Sequence, residues 1–197
     1  MSTKEELQKI FEEIKADPEN AKYTEQGIDP LYEITPEAKI LIVGQAPGKR
    51  AQDTRVFWND PSGDNLRQWM GVDRDTFYNS KKFAILPMDF YYPGKGRSGD
   101  LPPRKDFAAK WHKRLLQYAP KIELTLLVGS YATKHYLGLK SQAKLTDIVR
   151  DYKAYLPEYF PLVHPSPRNK IWQSKNPWFQ AEVLPDLKER VHKILED

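Results

Sequence analysis

The sequence predicts an α/β domain built on a mostly parallel sheet. Three observations lead there. Short apolar runs recur along the chain, segments with helical periodicity alternate with them, and two of the runs are continuous and rich in branched residues. Continuous apolar runs of that kind suit strands buried on both faces, as parallel strands are.

Taken in order, the chain opens with Thr3-Lys4-Glu5-Glu6, which reads as a capping box with Thr3 as N-cap and Glu6 as its reciprocal partner. Leu7, Ile10, Phe11 and Ile14 follow at helical spacing, and Pro18 stops this helix. A polar, proline-containing connection runs to Pro36. The first strand is Lys39 to Val43 and the second Phe83 to Leu86. Phe107, Trp111, Leu115 and Tyr118 mark a helix ended by Pro120. Leu124 to Val128 is the third strand, and Ser130 to Leu137 a helix with Gly138 at its C-terminus. Phe160 to Val163 is the fourth strand. Asn176-Pro177 reads as an N-cap followed by proline at the first helical position. Phe179, Val183, Leu187, Val191 and Ile194 then recur at helical spacing, with Pro185 placed to kink or split the helix. The expected organisation is one domain over 1–197, with an N-terminal helix and connection (1–36) and an α/β core (37–197).

Composition narrows the function classes. The chain has 197 residues, 40% apolar and 29% charged, the profile of a soluble globular protein. No stretch approaches the roughly 20 apolar residues of a membrane span. The N-terminus is polar and acidic, without the apolar region of a signal peptide, so a cytoplasmic location is expected. The absence of cysteine removes disulfides, thiolate metal sites, iron–sulfur clusters and cysteine nucleophiles together. The net charge is +4. Lys49, Arg50, Arg55, Lys81, Lys82, Lys95, Arg97, Arg104, Lys105, Arg168, Lys170 and Lys175 lie in or beside loops, while many acids sit in the terminal segments. A basic loop surface is one footprint of phosphate-backbone binding, and a solvated surface has the same look.

In a parallel sheet the C-terminal strand ends share one edge, where open α/β sheets bind ligands. Four loops should therefore converge: Gly44-Gln45-Ala46-Pro47-Gly48, Pro87 to Gly94, Gly129-Ser130-Tyr131, and His164-Pro165-Ser166-Pro167-Arg168-Asn169. The chain has no Gly-x-Gly-x-x-Gly, no Walker A pair and no His-Glu-x-x-His, and its four scattered histidines make a poor metal site. Gly129-Ser130-Tyr131 lacks the second glycine of a nucleophile elbow. His164 and Ser166 point apart along an extended chain, which argues against a serine hydrolase.

These loops resemble the motifs of the uracil-DNA glycosylase superfamily. Gly44-Gln45-Ala46-Pro47-Gly48 is similar to its first motif, which reads Gly-Glu-Ala-Pro-Gly in the iron–sulfur branch. His164 to Asn169 resembles the second motif and is closest to the form in the single-strand-selective monofunctional branch. Val56-Phe57 followed by Gly63-Asp64-Asn65-Leu66 is similar to the segment holding the base-stacking phenylalanine. Leu126 to Ala132 resembles the third strand and its helix start, so the resemblance covers about Lys39 to the C-terminus. It implies a three-layer α/β/α sandwich on a four-stranded parallel sheet, DNA as partner, and hydrolysis without a metal or other cofactor. A monomer is the default expectation.

The resemblance and the chemistry of base excision together imply candidate roles. Base excision needs a flipped nucleotide held in a pocket. Breaking the glycosidic bond puts negative charge on the leaving base and positive charge on the sugar. His164 is the candidate donor to the developing anion, a contact worth roughly 3 kcal/mol. Gln45 is the candidate water-positioning residue, and Gly44, Ala46, Phe57, Met88 and Asp89 are candidates for base binding. Pro47, Gly48, Ser130, Pro165, Ser166, Pro167, Arg168 and Asn169 are candidates for DNA binding, with Arg168 able to fill the gap left by the flipped base or to pair with phosphate. Trp58, Tyr91, Tyr92 and Trp172 offer either stacking surface or packing.

Two departures from the family pattern bear on function. Gln45 stands where the iron–sulfur branch has glutamate, and Ala46 where the classical branch has aspartate. Glutamine can orient water but is neither a base nor a negative charge. Asp53, Asp60 and Asp89 are the nearby carboxylates that can substitute. The family's uracil-reading asparagine also has no clear match among Pro87, Met88 and Asp89. Besides a glycosylase for uracil or another deaminated or damaged base, two readings therefore stand: a noncatalytic DNA-binding or damage-recognising relative, and an α/β protein for a free nucleobase or nucleotide.

Overall fold

Every residue of β1 (Ile40–Val43) and β5 (Leu124–Val128) is buried, because the alternating side chains of each strand enter two different cores. The structure is a computed structural model that describes residues 1–197. Its helices are α1 (Thr3–Ala16), α2 (Ala21–Thr24), α3 (Lys49–Thr54), α4 (Pro61–Met70), α5 (Arg74–Asn79), α6 (Phe107–Leu116), α7 (Ser130–Leu137), α8 (Leu145–Arg150), α9 (Lys170–Lys175) and α10 (Leu184–Glu196). The other strands are β2 (Phe83–Ile85), β6 (Tyr159–Leu162) and a short hairpin, β3 (Lys95–Gly96) and β4 (Gly99–Asp100).

The main sheet has the order β2-β1-β5-β6 and is parallel throughout. Ile40 registers with Phe83 on one side and Leu124 on the other, and Thr125 with Tyr159. Ile40, Ile42, Leu124 and Leu126 point to one face, where Leu66 and Met70 of α4 and Leu187 and Val191 of α10 cover them. Leu41, Val43 and Leu127 point to the other, against Ile10 and Ile14 of α1 and Trp111 and Leu115 of α6. The result is the expected three-layer sandwich with four parallel central strands. The chain leaves β1 toward one edge and β5 toward the other, so the strand order reverses between them, the position where such sheets open a crevice.

Local expectations change in three places. The capping box lies one residue earlier: Ser2 Oγ accepts from Glu5 N, and Glu5 Oε2 from Ser2 N, each at 3.2 Å. Thr3 is already helical, since the adjacent Ser-Thr and Glu-Glu pairs allow either register. Asn176 does not cap with its side chain, which instead donates to Trp172 O at 2.8 Å and closes the end of α9. Pro185 leaves the last helix unbroken. A π-helical stretch, Phe179–Val183, precedes it, and the widened turn accommodates the missing N–H. The polar connection before Pro36 also has a task. Glu33 pairs antiparallel with Ile85 through two 2.8 Å backbone hydrogen bonds and covers the exposed edge of β2.

Candidate active site

The loop after β1 and the loop after β2 are tied together at the sheet edge. Met88 N donates to Gly44 O at 2.8 Å, and Asp89 N to Gln45 O at 3.2 Å. Above them is a cavity of about 190 Å³, bordered by Gly44 to Gly48, Phe57, Trp58, Asp60, Asp100 and His164. That is about six waters' worth at roughly 30 Å³ each, room for one substituted heterocycle.

Trp58 roofs the cavity, and its position is tightly specified. Its backbone is left-handed, φ 55°. A Cβ on Gly63 would come 1.7 Å from Trp58 O, so α4 can approach only because that residue is glycine. The same carbonyl accepts from Arg67 Nη1 at 3.0 Å. Arg67 is 3% exposed; it also binds Asp64 at 2.8 Å and Tyr78 OH at 3.2 Å, and Tyr78 OH donates to Phe57 O at 2.7 Å. One buried guanidinium thus satisfies a loop that would otherwise be strained and under-bonded. The indole crosses Gly44, where a Cβ would sit 3.1 Å from Cζ2, and its ring lies 5.9 Å from that of His164 at 37°. Phe57 borders the cavity, and its ring also packs 6.3 Å from Phe77 and 5.8 Å from Tyr78. Arg67 had no sequence signal beyond its place on an amphipathic helix.

His164 emerges from the end of β6 into the cavity, and no protein group hydrogen-bonds its imidazole. Solvent reaches the ring from the mouth, yet the walls strip much of its hydration. Desolvation pushes its pKa below the usual histidine value, while Asp60 and Asp100 pull the other way. At neutral pH the ring is uncharged, with one N–H to donate and nothing in the protein to receive it. Gln45 stands on the facing wall. Its Nε2 reaches Leu101 O at 3.4 Å, which leaves Oε1 turned to other partners.

The loop after β6 is braced from α4 and from within. Asn65 Nδ2 donates to Pro165 O at 2.8 Å, Asn169 Nδ2 to His164 O at 3.1 Å, and Arg168 N to Ser166 Oγ at 3.2 Å. Ser166 and Asn169 therefore lock the loop, Pro167–Asn169 forms a 3-10 turn, and Arg168 projects from it exposed. Arg50, Lys95, Arg97, Arg168 and Lys170 are exposed in or beside the segments that follow the strands, and none is in an ion pair. Lys49 pairs with Asp53 at 2.7 Å.

Several candidates lie elsewhere. Met88 is buried outside the cavity. Asp89 is fully buried; it takes Arg104 Nε at 2.8 Å, Nη2 at 3.0 Å, and the backbone N–H groups of Arg104 and Tyr91 at 3.1 Å each. Its acceptors are occupied and face away from the cavity. Ser130 starts α7 on the same sheet edge but does not border the cavity. Tyr91 stacks on Tyr23 at 4.4 Å inside the protein, and Trp172 donates to Thr146 Oγ1 at 2.9 Å, so both are packing residues. Of the carboxylates weighed from sequence, Asp60 alone reaches the cavity, and Asp100 joins it from the hairpin. No cluster of three or more His, Cys, Asp or Glu side chains could hold a metal, and no helix is long and apolar enough to cross a membrane.

Comparison with known proteins adds two findings. The family model described as the uracil DNA glycosylase superfamily matches residues 31–188. Among solved structures, the chain is similar to the solution NMR structure of a Methanosarcina acetivorans protein provisionally assigned as a uracil DNA glycosylase, with 14% identity over 82% of this chain and 98% of that one, at a TM-score of 0.47.

Proposed function

The chain belongs to the uracil DNA glycosylase superfamily, and from that premise we propose that it is a DNA glycosylase acting in base-excision repair. It hydrolyses the N-glycosidic bond of uracil, or of another deaminated or damaged base, flipped out of DNA. The observation that carries this reading is His164: a desolvated, uncharged imidazole with no protein partner, in a cavity sized for one base.

Each wall then has a task. The flipped base enters under Trp58, beside Phe57 and the Gly44–Gly48 loop, while the braced loop from Pro165 to Asn169 sits against the backbone. As the C1′–N bond lengthens, charge collects on a base oxygen, and the His164 N–H donates to it. A preorganised donor in a water-poor site acts most strongly there. Gln45 Oε1 holds the attacking water. Arg168 and the other unpaired cations of those segments meet phosphates. The protein works as a monomer in the cytoplasm, on DNA, without a metal or other cofactor.

Gln45 favours a second reading, a noncatalytic relative that recognises damage, because an amide cannot take a proton from water. One experiment separates the two. The protein is incubated with labelled oligonucleotides carrying uracil, hypoxanthine, xanthine or mismatches, and abasic sites are then cleaved. Strand scission at a lesion is the expected result. No product on any substrate, together with tight salt-dependent binding, refutes the enzyme and leaves the recognition protein.

A further inference from the structure

Two carboxylates border the cavity, and their surroundings differ. Asp60 caps α4, with Oδ1 accepting from Gly63 N at 2.7 Å, so part of its hydrogen-bonding capacity is spent on the fold. Asp100 ends β4 of the hairpin, and its side chain makes no hydrogen bond or ion pair within the protein. Its Oδ2 lies 4.0 Å from where a Cβ on Gly48 would be, so it overlooks the turn that follows Gln45 and Ala46. Both acids are near enough to His164 to favour its charged form against desolvation.

The hairpin that carries Asp100 is anchored to the first loop. Leu101 N donates to Gly94 O at 2.8 Å and closes the hairpin base. Gln45 Nε2 reaches the carbonyl of that same Leu101 at 3.4 Å. The amide that stands in the acid's place therefore contacts the residue next to a free carboxylate. Lys95 and Arg97 lie on the same hairpin, exposed and without carboxylate partners, where a phosphate backbone can take them. Gly94 and Gly99 adopt φ +108° and +115°, a backbone that ordinary side chains resist, which keeps this turn compact.

We propose that Asp100 is the catalytic carboxylate of this protein, supplied from the hairpin because the first loop carries Gln45 and Ala46 instead of an acid. The proposal rests on the glycosylase reading. Water held by Gln45 Oε1 forms the new O–C1′ bond, and the C1′–N bond breaks with its electron pair passing to the base. One water proton moves to Asp100, whose charge until then faces the cationic sugar. The base leaves as an anion hydrogen-bonded by His164 and receives a proton from the acid or from solvent. The products are the abasic sugar and the free base.

The test is single-turnover excision on the best substrate of the oligonucleotide panel, with DNA affinity measured in parallel. Asp100→Asn is expected to lower the rate about a hundredfold or more, with affinity unchanged within about threefold. Asp100→Ala is expected to recover rate with added formate, which restores a carboxylate to the space. An Asp100→Asn rate within threefold of the original, or a loss confined to affinity, overturns the role of Asp100 and leaves the glycosylase reading standing. A protein that releases no base from any substrate overturns both.

Discussion

His112 and His164 are both held below the ordinary histidine pKa by desolvation, and they do opposite jobs. His112 lies inside α6 at 3% exposure. Both of its ring nitrogens are engaged, Nε2 with Pro87 O at 2.7 Å and Nδ1 with Tyr136 OH at 2.6 Å. The carbonyl can only accept, so Nε2 carries the proton and Nδ1 accepts from the tyrosine. Burial pushes its pKa down to about 4, against the pull of the Pro87 carbonyl. It bolts the loop after β2 to α6 and α7. His164 stands at the end of β6 with neither nitrogen engaged by the protein. The aspartates divide the same way, with Asp89 saturated by Arg104 and Asp100 bare in the cavity. Satisfied polar groups hold a fold in place; His164 and Asp100, open to solvent at the cavity and without protein partners, are free for something that arrives.

The sharpest way to break this contrast is at its saturated side. Asp89→Ala leaves the guanidinium of Arg104 without its partner, and should cost about 3–5 kcal/mol of stability, measured by urea unfolding. A loss under about 1 kcal/mol would return Asp89 to the pool of functional carboxylates.

Acid probes the saturated histidine. Its pKa is about 4 when folded and near the ordinary 6.5 when unfolded. Between those values the unfolded chain binds more protons, so this contribution is present above pH 6.5 and lost as pH falls toward 4, roughly 3 kcal/mol in all. Denaturant midpoints at pH 7 and pH 4.5, compared between the protein and His112→Gln, isolate it, and an equal pH dependence in the two would show that burial does not hold this ring neutral.

On the bare side, His164→Ala should slow excision by about a hundredfold. It should move stability by no more than about 0.5 kcal/mol, because no protein hydrogen bond is lost from the ring. A variant that kept its rate but unfolded easily would make His164 a second His112.

The strands and most of the site loops were legible in the sequence because the signals are local. Leu124–Val128 and Ser130–Leu137 have the bounds that the apolar run and Gly138 indicated. The loop from His164 to Asn169 carries its own prolines and its own bracing residues, so it can be read as a unit. Arg67 and Asp100 were not legible. Arg67 sits on an ordinary amphipathic helix, and only the Trp58 carbonyl and the Tyr78 hydroxyl, brought there by packing, give it a task. Asp100 lies in a glycine-bounded hairpin with no periodicity, far along the chain from the loop it faces. Asp89 misled in the other direction, since a carboxylate just after a strand end looks available until Arg104 is seen on it.

The sequence by itself determined the alternation of strands and helices, the parallel sheet, and the edge at which its loops gather, because hydrophobic periodicity and backbone stereochemistry act over a few residues at a time. Only the tertiary structure decided which polar groups on that edge are consumed by the fold and which are left over. That distinction rests on hydrogen bonds and ion pairs between residues distant along the chain, and neither partner's local sequence carries a trace of the other.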